Sequence, residues 1–168
     1  MPGELSSYFV ADHRRLENLL ERTVASRHAL DEGSYAEFRA GLLKHIGMEE
    51  KILLPAVRRM QQGVPHRYAG TLRLEHGAFA SLLVPPASRK IVAVFFTIMN
   101  HHNELEEGKD GLYLECERLM GNNYHELMLQ VQNYPEVPVM PHVGTPEVLA
   151  ATRRAVARAG YDFDAIEF

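Results

Sequence analysis

Apolar residues recur at three- and four-residue intervals over four long stretches of this chain, which is the spacing of amphipathic helices. Turn residues separate the stretches, and the sequence carries no strand-like alternation. The pattern predicts helices from about Ser7 to Leu30, from about Tyr35 to Gln62, from the Val64-Pro65 turn to about Val84, and from Ser88 towards Gly108 and Gly111. Because short connections make consecutive helices antiparallel neighbours, we expect an all-α, up-down-up-down four-helix bundle.

Two serines and a proline add detail to these helices. Ser34 and Ser88 stand where a side-chain oxygen can cap the first backbone N–H groups of the second and fourth helices. Pro55 falls inside the second helix, where it cannot donate a hydrogen bond to the carbonyl one turn earlier. We therefore expect the second helix to bend at Pro55.

The C-terminal part of the chain has a different pattern. A short helix from about Asn123 to Tyr134 is followed by the segment PEVPVMPHVGTP, whose prolines exclude a helix. A last helix, capped by Thr145, begins at Pro146, a favourable first helical position, and ends at Gly160. We predict a bundle over residues 1–121 and a helical extension over residues 122–168, which packs on the bundle or contacts a protein partner or a second copy.

Composition narrows the class of protein. Hydrophobic residues make up 46% and charged residues 24% of the 168 positions, the balance of a soluble globular domain. The net charge is −4 and the basic residues are scattered, which argues against a nucleic-acid partner. The longest apolar run, Ile91 to Met99, is too short to cross a bilayer. The single cysteine, Cys116, and a start without a secretory signal lead us to expect a cytoplasmic protein.

Histidines are the unusual feature, and their positions matter more than their number, which is nine. Each predicted helix carries one histidine within its apolar series, and in two helices a glutamate follows four residues later on the same face. These residues are His13, His45, Glu49, His76, His102 and Glu106. The His-x-x-x-Glu spacing lets two side chains of one helix reach a shared ion, with the carboxylate able to bridge two ions.

Six inward-facing polar groups need a physical reason. Burying each without a partner would cost roughly 2–7 kcal/mol, whereas a domain has a net stability of only about 5–15 kcal/mol. Mutual hydrogen bonds satisfy some of them in a metal-free bundle, which is the plain alternative. A metal satisfies them together, and imidazole with carboxylate suits iron, with zinc or manganese as alternatives.

Four segments resemble the hemerythrin-like, HHE cation-binding family. They are ADHRRLENLL around His13, HIGMEEKILLP from His45, LEHGAF around His76 and HNELEE from His102, and the resemblance extends from roughly Ser7 to Met120. It implies a centre of two iron ions with His13, His45, Glu49, His76, His102 and Glu106 as ligands. Glu49 and Glu106 would be the bridging carboxylates.

One position departs from the oxygen-carrying members of that family, which have a second histidine one turn after the one in the third helix. Here that position is Ala80. Glu75, Glu50, His101 or water would then complete the site, or it would hold a single ion. Between the neighbours His101 and His102, we expect His102 to be the ligand because it continues the apolar stripe of the fourth helix.

Three further residues near the predicted ligands are not expected to take part in the site. We expect Glu50 and Glu107, each of which follows a predicted ligand, to be solvated. We expect Tyr113 to pack in the core rather than to act as a donor at the site.

The resemblance leaves several functions open. The first is binding of a small ligand such as O2 or NO for sensing, storage or detoxification. The second is an enzyme that consumes peroxide or NO, or an iron donor for iron–sulfur cluster repair. The third is a metal-responsive regulator that acts on a partner through the C-terminal extension.

Overall fold

The computed structural model describes residues 2–168, and within that range it is helical with no strand. The helices are α1 (Glu4–Val24), α2 (Glu32–Met48), α3 (Leu54–Met60), α4 (Ala69–Leu82), α5 (Arg89–Glu107), α6 (Leu112–Met120), α7 (Tyr124–Gln132) and α8 (Pro146–Arg158). A π-helical turn, Glu49–Leu53, joins α2 to α3, and a short 3-10 turn, Gly121–Asn123, precedes α7. None of the helices in the described range is long and apolar enough to cross a membrane.

The second predicted helix is continuous but changes its winding where we expected a bend. The backbone N–H of Leu54 donates to the carbonyl of Glu49, five residues earlier, so the turn is wider than an α-helical one. Pro55 lies directly after this turn, and a proline crowds the carbonyl four residues before it. We attribute the π turn to that crowding. It begins at Glu49, one of the predicted ligands, and such turns are frequent at functional sites.

The observed ends and caps of the helices agree with the predicted ones in part. Ser88 caps α5 by accepting a hydrogen bond from the N–H of Ile91 at 3.1 Å, as predicted. The predicted cap at Ser34 is wrong, because Asp31 is the capping residue and accepts from the N–H of Ser34 at 3.0 Å. The first helix ends at Val24, six residues before the predicted end at Leu30.

The buried interior consists of two apolar clusters with a polar layer between them. The first cluster contains Leu16, Leu20, Phe38, Leu42, Phe79, Phe95 and Ile98. The second contains Phe9, Met48, Leu53, Leu72, Leu112 and Tyr113. Three of the long helices pass from one cluster to the other across a histidine, as α1 does from Phe9 through His13 to Leu16. The histidines are therefore at one level of the fold.

The C-terminal segment lies against the rest of the chain. Helix α8 packs on α4, and Val156 and Phe163 are buried in the first apolar cluster. Helix α7 packs on the π turn and on α6. As predicted, the proline-rich segment is not helical, Thr145 caps α8, and Gly160 follows its end with a positive φ of 96°.

Candidate metal centre

The six predicted ligands meet in the polar layer. They form two overlapping groups whose members offer ligand atoms within 4.8 Å of one another, and all six are buried. The first half-site is His13, His45, Glu49 and Glu106, and the second half-site is His76, His102, Glu49 and Glu106. The two glutamates belong to both half-sites.

Each shared carboxylate divides its oxygens between the half-sites. Glu49 Oε1 lies 3.1 Å from His45 Nε2, while Glu49 Oε2 lies 3.1 Å from His76 Nε2. Glu106 Oε2 lies 3.2 Å from His13 Nε2, while Glu106 Oε1 lies 3.1 Å from His102 Nε2. Ligands held about 2.1 Å from one ion are roughly 3.0–3.4 Å apart in octahedral or tetrahedral geometry. The spacing of these atoms therefore fits an ion in each half-site.

The second half-site contains buried polar atoms without hydrogen bonds. Six buried side-chain atoms in residues 2–168 have no hydrogen-bond partner, and three of them are Glu49 Oε2, His76 Nε2 and Glu106 Oε1. His76 Nε2 lies 3.1 Å and 3.7 Å from these two oxygens, but not in hydrogen-bond geometry. Such atoms are costly to bury unpaired. A cation among them would satisfy all three.

A second set of carboxylates holds the outer nitrogen of every histidine ligand. The pairs, each between Nδ1 and a carboxylate oxygen, are His13–Glu107 at 2.6 Å, His45–Asp12 at 2.8 Å, His76–Glu50 at 2.7 Å and His102–Glu75 at 2.9 Å. An Nδ1–H that donates to a carboxylate fixes the tautomer, leaving Nε2 free to bind a metal. All four imidazoles are thus oriented for ligation through Nε2.

These outer carboxylates form a ring around the centre. Each carboxylate is the sequence neighbour of a predicted ligand and bonds to the histidine of another helix. Asp12 on α1 bonds to the histidine of α2, Glu50 after α2 to that of α4, Glu75 on α4 to that of α5, and Glu107 on α5 to that of α1. The prediction that Glu50 and Glu107 are solvated is wrong, because each is mostly covered and bonded to a histidine. The feature of the sequence that could have indicated this ring is the carboxylate next to a predicted ligand on each of these helices.

Glu75 and His101 occupy positions that we did not predict. Glu75 is 1% exposed and bonds Nδ1 of both His101 and His102, so it is neither a surface carboxylate nor a member of the ligand groups. The His101 side chain is 50% exposed and lies outside both half-sites. The preference for His102 over His101 agrees with this arrangement.

Ala80 is not a vacant ligand position. It is exposed although it follows His76 by one turn, so a histidine there would face away from the polar layer. The buried residues one turn from His76 are Leu72, before it, and Phe79, after it. The expected defect at Ala80 therefore does not describe this site.

Tyr113 was predicted to pack in the core, and its ring does stack on Phe9 with centroids 4.8 Å apart. Its hydroxyl oxygen, however, lies inside the first half-site. It is 2.6 Å from Glu49 Oε1, 3.0 Å from Glu106 Oε2, 3.0 Å from His13 Nε2 and 3.4 Å from His45 Nε2. Tyr113 lies on α6, beyond the four predicted bundle helices, so the pattern of those helices gave no indication of this contact.

Electrostatics couple the imidazoles and carboxylates strongly. Burial alone would lower the pKa of His45, but Glu49 and Asp12 outweigh it and raise that pKa to about 10. Burial and Glu106 would raise the pKa of Glu49, yet its histidine neighbours lower it to about 2. Burial and the two carboxylates raise the pKa of Tyr113 well above its usual value. The same carboxylates raise the pKa values of His76 and His102, so in the metal-free protein protons on His45, His76 and His102 balance the buried carboxylates.

Comparisons with protein-family models, with curated proteins and with solved structures gave no match to this chain. The assignment of the site consequently rests on its own geometry and chemistry. The described chain is an all-helical protein whose buried histidine and glutamate groups could hold a metal ion.

Proposed function

We propose that this protein is a hemerythrin-like four-helix bundle that binds two iron ions and, through them, a small ligand such as O2 or NO for sensing, storage or detoxification. The observation that carries the proposal is the division of each glutamate between the two half-sites. Two carboxylates shared by two pairs of histidines are suited to a pair of ions a few ångströms apart, whereas one ion would leave half of these atoms unused.

Iron is the proposed metal because of the ligand set and the family resemblance. Four imidazoles and two carboxylates suit iron, and they also suit zinc or manganese. Thiolates, which would favour other metals, are absent from both half-sites. When bound, iron would supply reversible coordination and redox chemistry to the small ligand.

The surroundings of the centre support binding of a small, uncharged ligand. Phe79 meets the ring of His102 edge-on at 5.0 Å, and Phe9 meets His45 edge-on at 5.4 Å. The two apolar clusters close the polar layer on both sides. Such apolar walls favour an uncharged ligand over an ion.

Metal analysis of the full chain tests the proposal. We expect about two iron ions per chain after expression in iron-supplemented cells, with charge-transfer absorption in air. His45→Ala should lower the iron content, while His125→Ala, a change at an exposed histidine outside both half-sites, should not. Zinc or manganese in place of iron would overturn the choice of metal, and a protein without metal would overturn the proposal.

An enzymatic role would use the same ligands. Turnover of peroxide or NO by the iron-loaded protein, or transfer of its iron to an apo iron–sulfur protein, would replace ligand binding by catalysis or iron donation. A single-substrate assay of the loaded protein separates these outcomes, because a binding protein takes up its ligand once without sustained consumption.

Regulation through the C-terminal extension is the second candidate, favoured by one contact. The hydroxyl of Tyr161 donates to Glu75 Oε1 at 3.2 Å, and Glu75 holds His102 of the second half-site. Metal binding and the packing of the extension would then stabilise each other. We expect proteolysis of residues 134–168 to slow when metal is added, and equal cleavage with and without metal would exclude this role.

A further inference from the structure

We propose that Tyr113 is a fifth protein ligand of the ion in the first half-site, so that the two ions differ in coordination. This inference rests on the proposed dinuclear centre. It goes beyond the six residues that the sequence indicated, because it adds an oxygen from α6, outside the four predicted helices.

The position of the hydroxyl oxygen is the main argument. Its distances to the four ligand atoms of the first half-site run from 2.6 Å to 3.4 Å. The distances of 3.0 Å, 3.0 Å and 3.4 Å are those expected between neighbouring ligands that share one ion at about 2.1 Å, and the 2.6 Å contact with Glu49 Oε1 is a hydrogen bond in the metal-free protein. An oxygen this close to four ligand atoms lies where another ligand of the same ion would lie.

Hydrogen-bond counting leads to the same conclusion. Metal binding requires neutral imidazoles, and because His13 and His45 each direct Nδ1 to an outer carboxylate, their Nε2 atoms then carry no proton and are acceptors. The hydroxyl of Tyr113 then faces two nitrogen and two carboxylate acceptors. A phenol has a single hydrogen to donate. A cation bound by all five atoms satisfies them without additional protons.

The fold holds Tyr113 in place from two directions. Its side chain is fully buried and stacks on Phe9. Between α5 and α6 the chain turns at Gly111, where a Cβ would collide with the carbonyl oxygen of Glu106. This close approach starts α6 beside the backbone of Glu106, whose carboxylate belongs to both half-sites. The position of the hydroxyl therefore depends on the turn as well as on packing.

The second half-site lacks an equivalent oxygen in the described chain. Its atoms Glu49 Oε2, His76 Nε2 and Glu106 Oε1 have no hydrogen-bond partner. We therefore expect five protein ligands for the ion in the first half-site and four for the ion in the second. The small ligand of the proposed function would bind at the second.

The test compares Tyr113→Phe with Tyr35→Phe and the unchanged protein, all as full chains loaded with iron. Both tyrosines are fully buried, but Tyr35 lies in the first apolar cluster and its hydroxyl has no partner in residues 2–168. A tyrosinate bound to ferric iron gives a visible charge-transfer band. We expect this band in the unchanged protein and in Tyr35→Phe, and its loss in Tyr113→Phe, with tyrosinate vibrations in the resonance Raman spectrum of the unchanged protein.

The outcomes separate this inference from the proposed function. Two irons per chain without a tyrosinate band or vibrations would overturn the role of Tyr113 and leave the dinuclear centre intact. An unchanged protein without metal would overturn both. The Raman measurement needs no variant, so the inference stays testable if Tyr113→Phe folds poorly.

Discussion

The two half-sites share Glu49 and Glu106 and are built alike, but they differ in how many of their buried atoms have a partner in the protein. The first, with His13 and His45, surrounds the hydroxyl of Tyr113, which contacts all four of its ligand atoms. The second, with His76 and His102, contains three buried atoms that form no hydrogen bond in the described chain. The first half-site thus has an additional oxygen from the protein, whereas three atoms of the second have no partner in the described chain.

This difference shows how near-symmetric sequence elements produce an asymmetric centre. Both half-sites draw one histidine from each of two helices and one oxygen from each glutamate. The asymmetry comes from α6, which follows the glycine turn after α5 and places the hydroxyl of Tyr113 in the first half-site. A single added segment is enough to distinguish two otherwise similar half-sites.

The bridging carboxylates should have the largest effect, because they belong to both half-sites. We expect Glu49→Leu to weaken binding of both ions by more than the roughly 100-fold typical of losing an outer partner of a metal ligand. Isothermal titration of the metal-free protein with Co(II) measures this change. Glu37→Leu, at an exposed position of α2, is the matched control and should bind two ions normally. Retention of one tight ion in Glu49→Leu would contradict the bridging role.

Removing one histidine from each half-site sharpens the comparison. His45→Ala leaves His13, both glutamates and Tyr113 around the first ion, whereas His76→Ala leaves only His102 and the glutamates around the second. We therefore expect His76→Ala to lose the larger part of its affinity for one ion, by at least about tenfold more than His45→Ala. Co(II) absorption titrations resolve the two binding steps. Equal losses would mean that Tyr113 gives no support to the first ion.

In the metal-free protein, pH should change stability through the same groups. The pKa of His45 is raised to about 10, so its contribution is fully present below its unfolded value of 6.5 and is lost as pH rises towards 10. The pKa of Glu49 is lowered to about 2, so its contribution is present above its unfolded value of 4.5 and is lost as pH falls towards 2. We expect maximal stability of the metal-free protein between these unfolded values.

Urea unfolding with a chelator present measures this profile. The urea concentration at the unfolding midpoint should decrease as the pH is raised from about 6 to about 9. In thermal unfolding, each kcal/mol of lost stability should lower Tm by about 2–4 °C. Metal should reverse the trend, because imidazoles must be neutral to bind it. A metal-free midpoint that rises over this range would show that the imidazoles do not carry the charge we assign.

The sequence was sufficient to predict which six residues come together, but not the side chains that surround them. Helical periodicity places His13 or Glu106 on the inner face of its own helix, and the structure brings all six predicted residues together. Periodicity does not reveal which residue of another helix lies opposite. The contacts of Glu50 and Glu107 with histidines of other helices therefore had no signal beyond their adjacency to ligands.

Predictions from local sequence rules failed at several positions. Ser34 and Asp31 are both good capping residues, and the helix begins early enough that Asp31 is used. Pro55 indicated a disturbance of the second helix, but not that it would take the form of a π turn beginning at Glu49. Ala80 lies one turn after His76 and is nevertheless exposed, so spacing alone misassigned its direction.

The smallest predicted effect comes from a contact between the C-terminal segment and the second half-site. Tyr161 donates to Glu75, which orients His102 of the second half-site. Tyr161→Phe removes one hydrogen bond to a charged group, worth about 1–2 kcal/mol, but leaves the contact of Glu75 with His102 in place. We therefore expect binding of the second ion to weaken by about fivefold or less, and binding of the first to stay unchanged. Tyr35→Phe again serves as control in the Co(II) titration. Equal weakening of the binding of both ions would mean that the segment stabilises the whole fold. Tyr113 would then be the main difference between the half-sites.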